Sequence, residues 1–190
     1  MVFWLSALTT ETIVESFDTS RLRLRQISHA DEALYCHLYT DAALMQHIAT
    51  PLSVEAAQRS FVSACAQQSQ DRQRWIIQER KSSQDIGLVA LFATGDVAEI
   101  GVMLVAIAHG RGLATEAMAA IVDRAFAEWS IRLLWIRQQV SNAPVAGMMQ
   151  QLGFARLPMK DPEAAEVRWD LGRERWLDRQ ATMVKLAPSG

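Results

Sequence analysis

The chain is short of the residues that mark several large protein classes. Its 190 residues include two cysteines, Cys36 and Cys65, which fit neither a C-x-x-C pair nor a zinc spacing. A disulfide scaffold is therefore excluded, and the two read as reduced thiols of a cytoplasmic protein. Four histidines are scattered along the chain and form no ligand set with the cysteines, so no metal is expected. No apolar run reaches bilayer length. Residues 1–8 are apolar but too short to span, and they lack the charged start and long apolar core of a signal peptide. A docking or fraying arm is the expectation there, in a monomer or at a homodimer contact. Neither sign of charge is in excess: a net charge of −2 with acids and bases interleaved gives no reason to expect nucleic acid or a membrane as partner. There is no G-x-x-x-x-G-K-[ST], which excludes a P-loop nucleotide site. No tyrosine occurs beyond Tyr39, and no repeat or low-complexity linker is seen. With 50% of residues apolar, the chain can build one substantial core.

What is present is a glycine-spaced stretch, H-G-R-G-L-A-T-E-A-M, from His109 to Met118. Gly110, Gly112 and Ala114 let a ligand come close to the backbone, and the amphipathic helix that follows offers its unpaired N–H groups and positive dipole end. That combination suits a phosphate, and Arg111 adds a full charge. A dinucleotide fingerprint fails at Thr115, where a small residue is required, and at Gln138 and Gln139, where an acid should close the next strand.

Around this stretch the pattern alternates between strands and helices. Residues 21–27 alternate Arg21, Arg23 and Arg25 with Leu22, Leu24 and Ile27, the mark of a strand with one buried face. Helices are expected at 31–39 and 54–68, the second capped by Ser53. Strands follow at 75–78, 85–92 and 97–105, the last containing Glu99 and an isolated glycine, Gly101, that suggests a bulge. Beyond the glycine-spaced loop, Leu113, Ala117, Ile121 and Ala125 define a core helix. A buried strand at 131–140 leads to a short helix at 144–152, with Asn142 before it, Pro144 in its first turn and Gly153 after it. A strand pair around 155–158 and 166–171 closes the pattern, separated by a polar turn at 160–163.

Four of these features, in order, resemble the GNAT N-acetyltransferase superfamily and its RimJ/RimL branch. They are T-S-R-L-R-L-R followed by Asp31; the loop His109, Gly110, Arg111, Gly112, Leu113, Ala114, similar to Q/R-x-x-G-x-G/A; the run N-A-P-V-A-G-M-M-Q-Q-L-G-F from Asn142; and the closing strand followed by G-R-E-R-W with Trp176. The resemblance covers residues 19–176. It implies one α/β (α+β) domain at 18–177 between an arm at 1–17 and a tail at 178–190, with a mostly antiparallel sheet splayed at an acetyl-CoA site.

By the same resemblance, acetyl-CoA would be the cosubstrate. Met103, Leu104 and Val105 would present backbone N–H groups to the thioester and pantetheine. His109, Gly110, Arg111, Gly112, Leu113, Ala114 and Thr115 would hold the pyrophosphate, and Asn142 would contact the pantetheine while also able to serve as a helix cap. Glu99 would be the general base, its pKa raised by partial burial; a plain strand acid or ion-pair partner is the other reading. Glu116, in the first helical turn, is accounted for by the helix dipole alone. Val145 stands where relatives carry a serine, and no tyrosine follows Tyr39; Ser141 is the candidate substitute to protonate the thiolate, with water or the acceptor's own proton as the other readings. The acceptor would be a peptide N-terminus; a small amine or amino sugar, or a non-catalytic coenzyme A sensor, are the other readings.

Overall fold

The computed structural model describes residues 16–158 and 165–186. The expected arm at 1–8 and the polar turn at 160–163 lie outside the described residues. Among the described residues eight strands form one sheet in the order β1-β2-β3-β4-β5-β6-β8-β7. They are β1 (Ser16–Asp18), β2 (Leu22–Gln26), β3 (Arg72–Glu79), β4 (Gln84–Thr94), β5 (Val97–Leu104), β6 (Leu133–Gln139), β7 (Ala155–Arg156) and β8 (Glu166–Gly172). Every neighbouring pair is antiparallel except β5 and β6. This is the mixed, mostly antiparallel sheet flanked by helices that the sequence implies.

Helices cover the two faces unequally. On one face α1 (Glu32–Thr40) and α3 (Val54–Ala66) pack through Tyr35, Leu38, Phe61 and Ala64 against Ile76 and Leu88 of the sheet, with Leu44 of α2 (Ala42–Met45) alongside. Ser53 caps α3 as expected, its Oγ accepting from the Ala56 N–H at 3.2 Å. On the other face α4 (Leu113–Ala127) buries Leu113, Ala117, Ile121, Ala125 and Phe126 in the larger core. That is the every-fourth-residue face legible in the sequence. Trp75 and Trp129 stack there, 5.8 Å between ring centres. The helix α5 (Ala143–Leu152) ends at Gly153, whose φ of +90° is the left-handed value that favours glycine.

Three elements differ from the sequence reading. Ser16–Asp18 forms a strand inside the segment assigned to the arm, pairing Phe17 with Leu24 and setting its ring edge-on to Trp75 at 6.3 Å. At the other end, a helix α6 (Arg173–Leu186) continues past 177. It docks on α4 through hydrogen bonds from Trp176 Nε1 at 2.7 Å and Gln180 Nε2 at 3.1 Å to Asp123. The bulge is the third. Gly101 sits opposite Ala90 in an unbroken β4–β5 register, so the expected irregularity in β5 is absent. It lies one strand away, where the β3–β4 register shifts between Ile77 and Gln78. There Gly87 is required because a Cβ would stand 2.2 Å from the Met103 carbonyl oxygen.

The first strand's arginines are more than a wetted face. Arg25 pairs with Asp31 and Asp85, each at 2.7 Å, and Asp31 is buried. Arg21 reaches Glu116 at 2.5 Å. The Glu116 carboxylate also accepts from Thr19 Oγ1 at 2.5 Å, Ser20 Oγ at 3.0 Å and the Arg21 N–H at 2.8 Å. One carboxylate thereby ties the β1–β2 turn to the start of α4. Burial opposes its ionisation, yet these hydrogen bonds outweigh burial and hold its pKa down to about 2 from the ordinary 4.5. A pKa depressed on folding gives stability that is present above the unfolded value and lost as pH falls through the folded one. Glu116→Ala is expected to cost about 2–3 kcal/mol in urea unfolding at neutral pH. The gap from the wild type should narrow as pH is lowered from 4.5 toward about 2.

Candidate active site

The site originates where β5 and β6 stop pairing. Their parallel ladder joins Val97, Ala98 and Glu99 to Leu133, Leu134 and Trp135, and ends there, although β5 runs on to Leu104 and β6 to Gln139. The gap between the two strand ends opens a cleft with two lobes, of about 410 and 620 Å³, both within the size range of small-ligand sites. His47, Val102, Met103, Asn142, Val145 and Met148 line both lobes.

Backbone groups are aimed into the larger lobe. The Val105 N–H donates to the Ile86 carbonyl at 2.9 Å. Bonded positions alternate along an antiparallel edge, so Met103 and Gly101 are turned to β4, while Val102 and Leu104 face the gap. Leu104 confirms the direction, since its carbonyl meets His109 Nε2 at 2.9 Å. The N–H groups available to a ligand are thus those flanking Met103. Its own side chain lies against the helical layer of α1 and α3.

The glycine-spaced loop forms the far wall. Gly110 and Gly112 have φ of +70° and +72°, values that a side chain would strain. Gly112 is the residue before α4 and has no side chain to cap it. The first helical bond runs from the Glu116 N–H to the Gly112 carbonyl at 3.1 Å, which leaves the N–H groups of Leu113, Ala114 and Thr115 without helical acceptors. These three, with His109, Gly110, Gly112 and Leu104, line the lobe.

Two of the expected loop-side residues are placed otherwise. Arg111 is turned outward to the Glu79 carboxylate, and its backbone carbonyl accepts from Arg21 Nη1 at 2.9 Å. Val105 packs against the core. Asn142, at the start of α5, makes no side-chain cap bond and lines both lobes. Its backbone carbonyl accepts from Gln138 Nε2 at 2.6 Å, and the buried Gln138 Oε1 has no hydrogen-bond partner.

The smaller lobe holds the charged groups. Glu99 projects into it from β5 and pairs with Arg137 at 3.2 Å, its side chain about one-third exposed at 32%. Glu166 lines the same lobe. A Cβ on Gly101 would meet nothing within 4 Å, so the isolated glycine widens this wall and does not bend the strand. Ser141 lines neither lobe; its Oγ lies 3.2 Å from His47 Nδ1. Tyr35 and Tyr39 are packing residues, their rings 4.5 Å apart, with Tyr35 hydrogen-bonded to Ser60 at 2.8 Å. The sequence offered His47 only as one of several residues beside the helical pair. Its meeting with Ser141, 94 positions away, had no local signal. Among the described residues no group of histidine, cysteine or acidic side chains could hold a metal, and no helix is long and apolar enough to cross a membrane.

Comparison with known proteins matches this architecture. A family described as acetyltransferase (GNAT) domain matches residues 21–155, from the first long strand through the loop to the end of α5. The fold is similar to that of a GNAT-family acetyltransferase from Bacillus anthracis, with a TM-score of 0.72 at 16% identity over 84% of this chain and 99% of that one. A spermidine N-acetyltransferase from Vibrio cholerae, in complex with CoA and spermine, gives the same four values. An acetyltransferase from Agrobacterium tumefaciens gives a TM-score of 0.71 at 20% identity over 84% of this chain and 95% of that one. No significant match is found among curated proteins.

The loop geometry generates a direct test. Gly112→Ala forces a Cβ into the left-handed region at a cost of about 1–2 kcal/mol. Calorimetric titration with acetyl-CoA should show affinity reduced by roughly tenfold, with a smaller change in melting temperature than Glu116→Ala produces.

Proposed function

The chain belongs to the GNAT acetyltransferase family, and from that premise we propose that it transfers the acetyl group of acetyl-CoA to a primary amine, a peptide or protein N-terminal α-amine as in the RimJ/RimL branch. The observation that carries the reading is the parting of β5 and β6, with unpaired N–H groups on one side and a carboxylate on the other. Coenzyme A lies in the larger lobe, its pyrophosphate on the N–H groups of residues 113–115 and the glycines before them. Pantetheine runs along β5 toward Asn142. The thioester carbonyl takes a hydrogen bond from Val102 or Leu104, which stabilises the oxyanion as the amine attacks. Attack is direct, without an acyl-enzyme. Glu99, oriented by Arg137, receives the acceptor as its ammonium and removes the first proton. Arg111 neutralises phosphate charge only after leaving Glu79. The unpaired thiols Cys36 and Cys65 suit a reducing, cytoplasmic setting.

A small amine is the second reading. Two carboxylates, Glu99 and Glu166, line the acceptor lobe, and the relative from Vibrio cholerae is a spermidine N-acetyltransferase. Acetyl-CoA titration together with thiol release, run in parallel with peptides bearing a free N-terminus and with spermidine, separates the two. Acceptor-dependent release from the peptides is the expected result; release with spermidine alone selects the second reading. Glu99→Gln should lower the rate by about 10²–10⁴-fold while leaving acetyl-CoA affinity unchanged. A loss of affinity equal to the loss of rate would assign Glu99 a structural role instead.

A further inference from the structure

A histidine stands where the two lobes of the cleft meet. His47 follows α2, a turn fixed by the Asp41 carboxylate, which accepts from the Ala43 and Leu44 N–H groups at 2.8 and 3.1 Å, and by buried Met45. It lines both lobes, at the junction where an acceptor nitrogen and a thioester sulfur would meet. Its Nδ1 lies 3.2 Å from Ser141 Oγ, and Ser141 itself reaches neither lobe. We propose that His47 is a catalytic residue of this acetyl transfer, carrying a proton from the acceptor nitrogen to the coenzyme A sulfur, with Ser141 as its positioning residue. The inference rests on the acetyl-transfer reading above.

The chemistry balances with no further reactant. The transfer uses the tautomer in which Nδ1–H donates to Ser141 Oγ and Nε2 carries no proton. As the nitrogen–carbon bond forms, Nε2 takes one proton from the acceptor nitrogen; as the carbon–sulfur bond breaks, it gives that proton to sulfur. Glu99 has already taken the ammonium proton and returns it to solvent. Four ionisable groups face His47 across the cleft: Glu99 from β5, Arg137 from β6 and Glu166 from β8 in the smaller lobe, and His109 in the larger. Asp41 belongs to its own segment. The Nε2 of His109 is engaged by the Leu104 carbonyl, so His109 does not compete for the task.

The test needs no knowledge of the acceptor. Coenzyme A with its free thiol is bound to the full chain, and the ultraviolet absorption of the thiolate is followed against pH in the wild type and in His47→Gln. A bare Nε2 that accepts from the thiol holds the proton on sulfur, so the titration midpoint should lie about one pH unit higher in the wild type than in the variant. Ser141→Ala should lose part of that shift and Ser141→Thr restore it, which a merely structural serine would not do. Identical midpoints, with coenzyme A bound by both proteins, would overturn the proposal. Absence of coenzyme A binding by the wild type would instead overturn the acetyl-transfer reading on which it rests. If His47→Gln does not fold, carbethoxylation of wild-type His47 by diethyl pyrocarbonate decides: coenzyme A should protect it, and unchanged labelling would sink the assignment.

Discussion

Two parallel strands that pair at three positions and then part are the constraint on which the rest of this molecule depends. Backbone N–H and C=O groups left unpaired at a strand edge must find water, side chains or a ligand. Here the Leu104 carbonyl finds His109, and the Val102 and Leu104 N–H groups remain turned into the cleft. The crossover from β5 to β6 runs through α4, so the helix's own unpaired N–H groups arrive at the mouth of the same gap. Sheet edge and helix start therefore present donors to one cleft.

Keeping the strands apart requires that each flank be held by something other than their mutual ladder. On the β5 side the chain is pulled toward β4: the bulge between Ile77 and Gln78, with Gly87 beneath the Met103 carbonyl, lets the end of β5 close onto its antiparallel neighbour. On the loop side Glu116 gathers Thr19, Ser20 and Arg21, and Arg21 holds the Arg111 carbonyl. On the β6 side Gln138 reaches the Asn142 carbonyl and α5 buries Met148 and Met149. Apart from the Gln138–Asn142 bond, which spans four residues, these are contacts between segments distant in sequence, and they hold the flanks of the cleft.

Much of this was legible residue by residue. Alternation of arginine and leucine marked β2, the apolar spacing from Leu113 marked α4, and Asn142, Pro144 and Gly153 marked the ends of α5, because each signal is local and repeats at the period of its element. The loop was legible for the same reason, as left-handed backbone favours glycine. Less visible was the role of each side chain within the pattern. An isolated glycine in a strand fits a bulge or a widened wall equally well, and only the register with β4 shows that Gly101 does the second while Gly87 permits the close approach. Arg111 supplied a charge in the right stretch, but its direction is set by Glu79, on a strand more than thirty positions earlier. Ser141 stood next to Asn142 in the sequence, and its hydroxyl meets His47.

By itself, then, the sequence determined most of the elements and the loop that suits an anion. Periodicity selects helix or strand, glycine selects left-handed backbone, and a glycine-spaced loop running into a helix selects an anion, all through interactions within a few residues. Tertiary structure alone decided which groups face the cleft. Glu116 became the tie between the β1–β2 turn and the central helix, His47 came to the junction of the lobes, and Arg111 turned away. Each of these depends on where a segment from elsewhere in the chain comes to rest, and that is settled by burial of the two cores and by the register of the sheet between them.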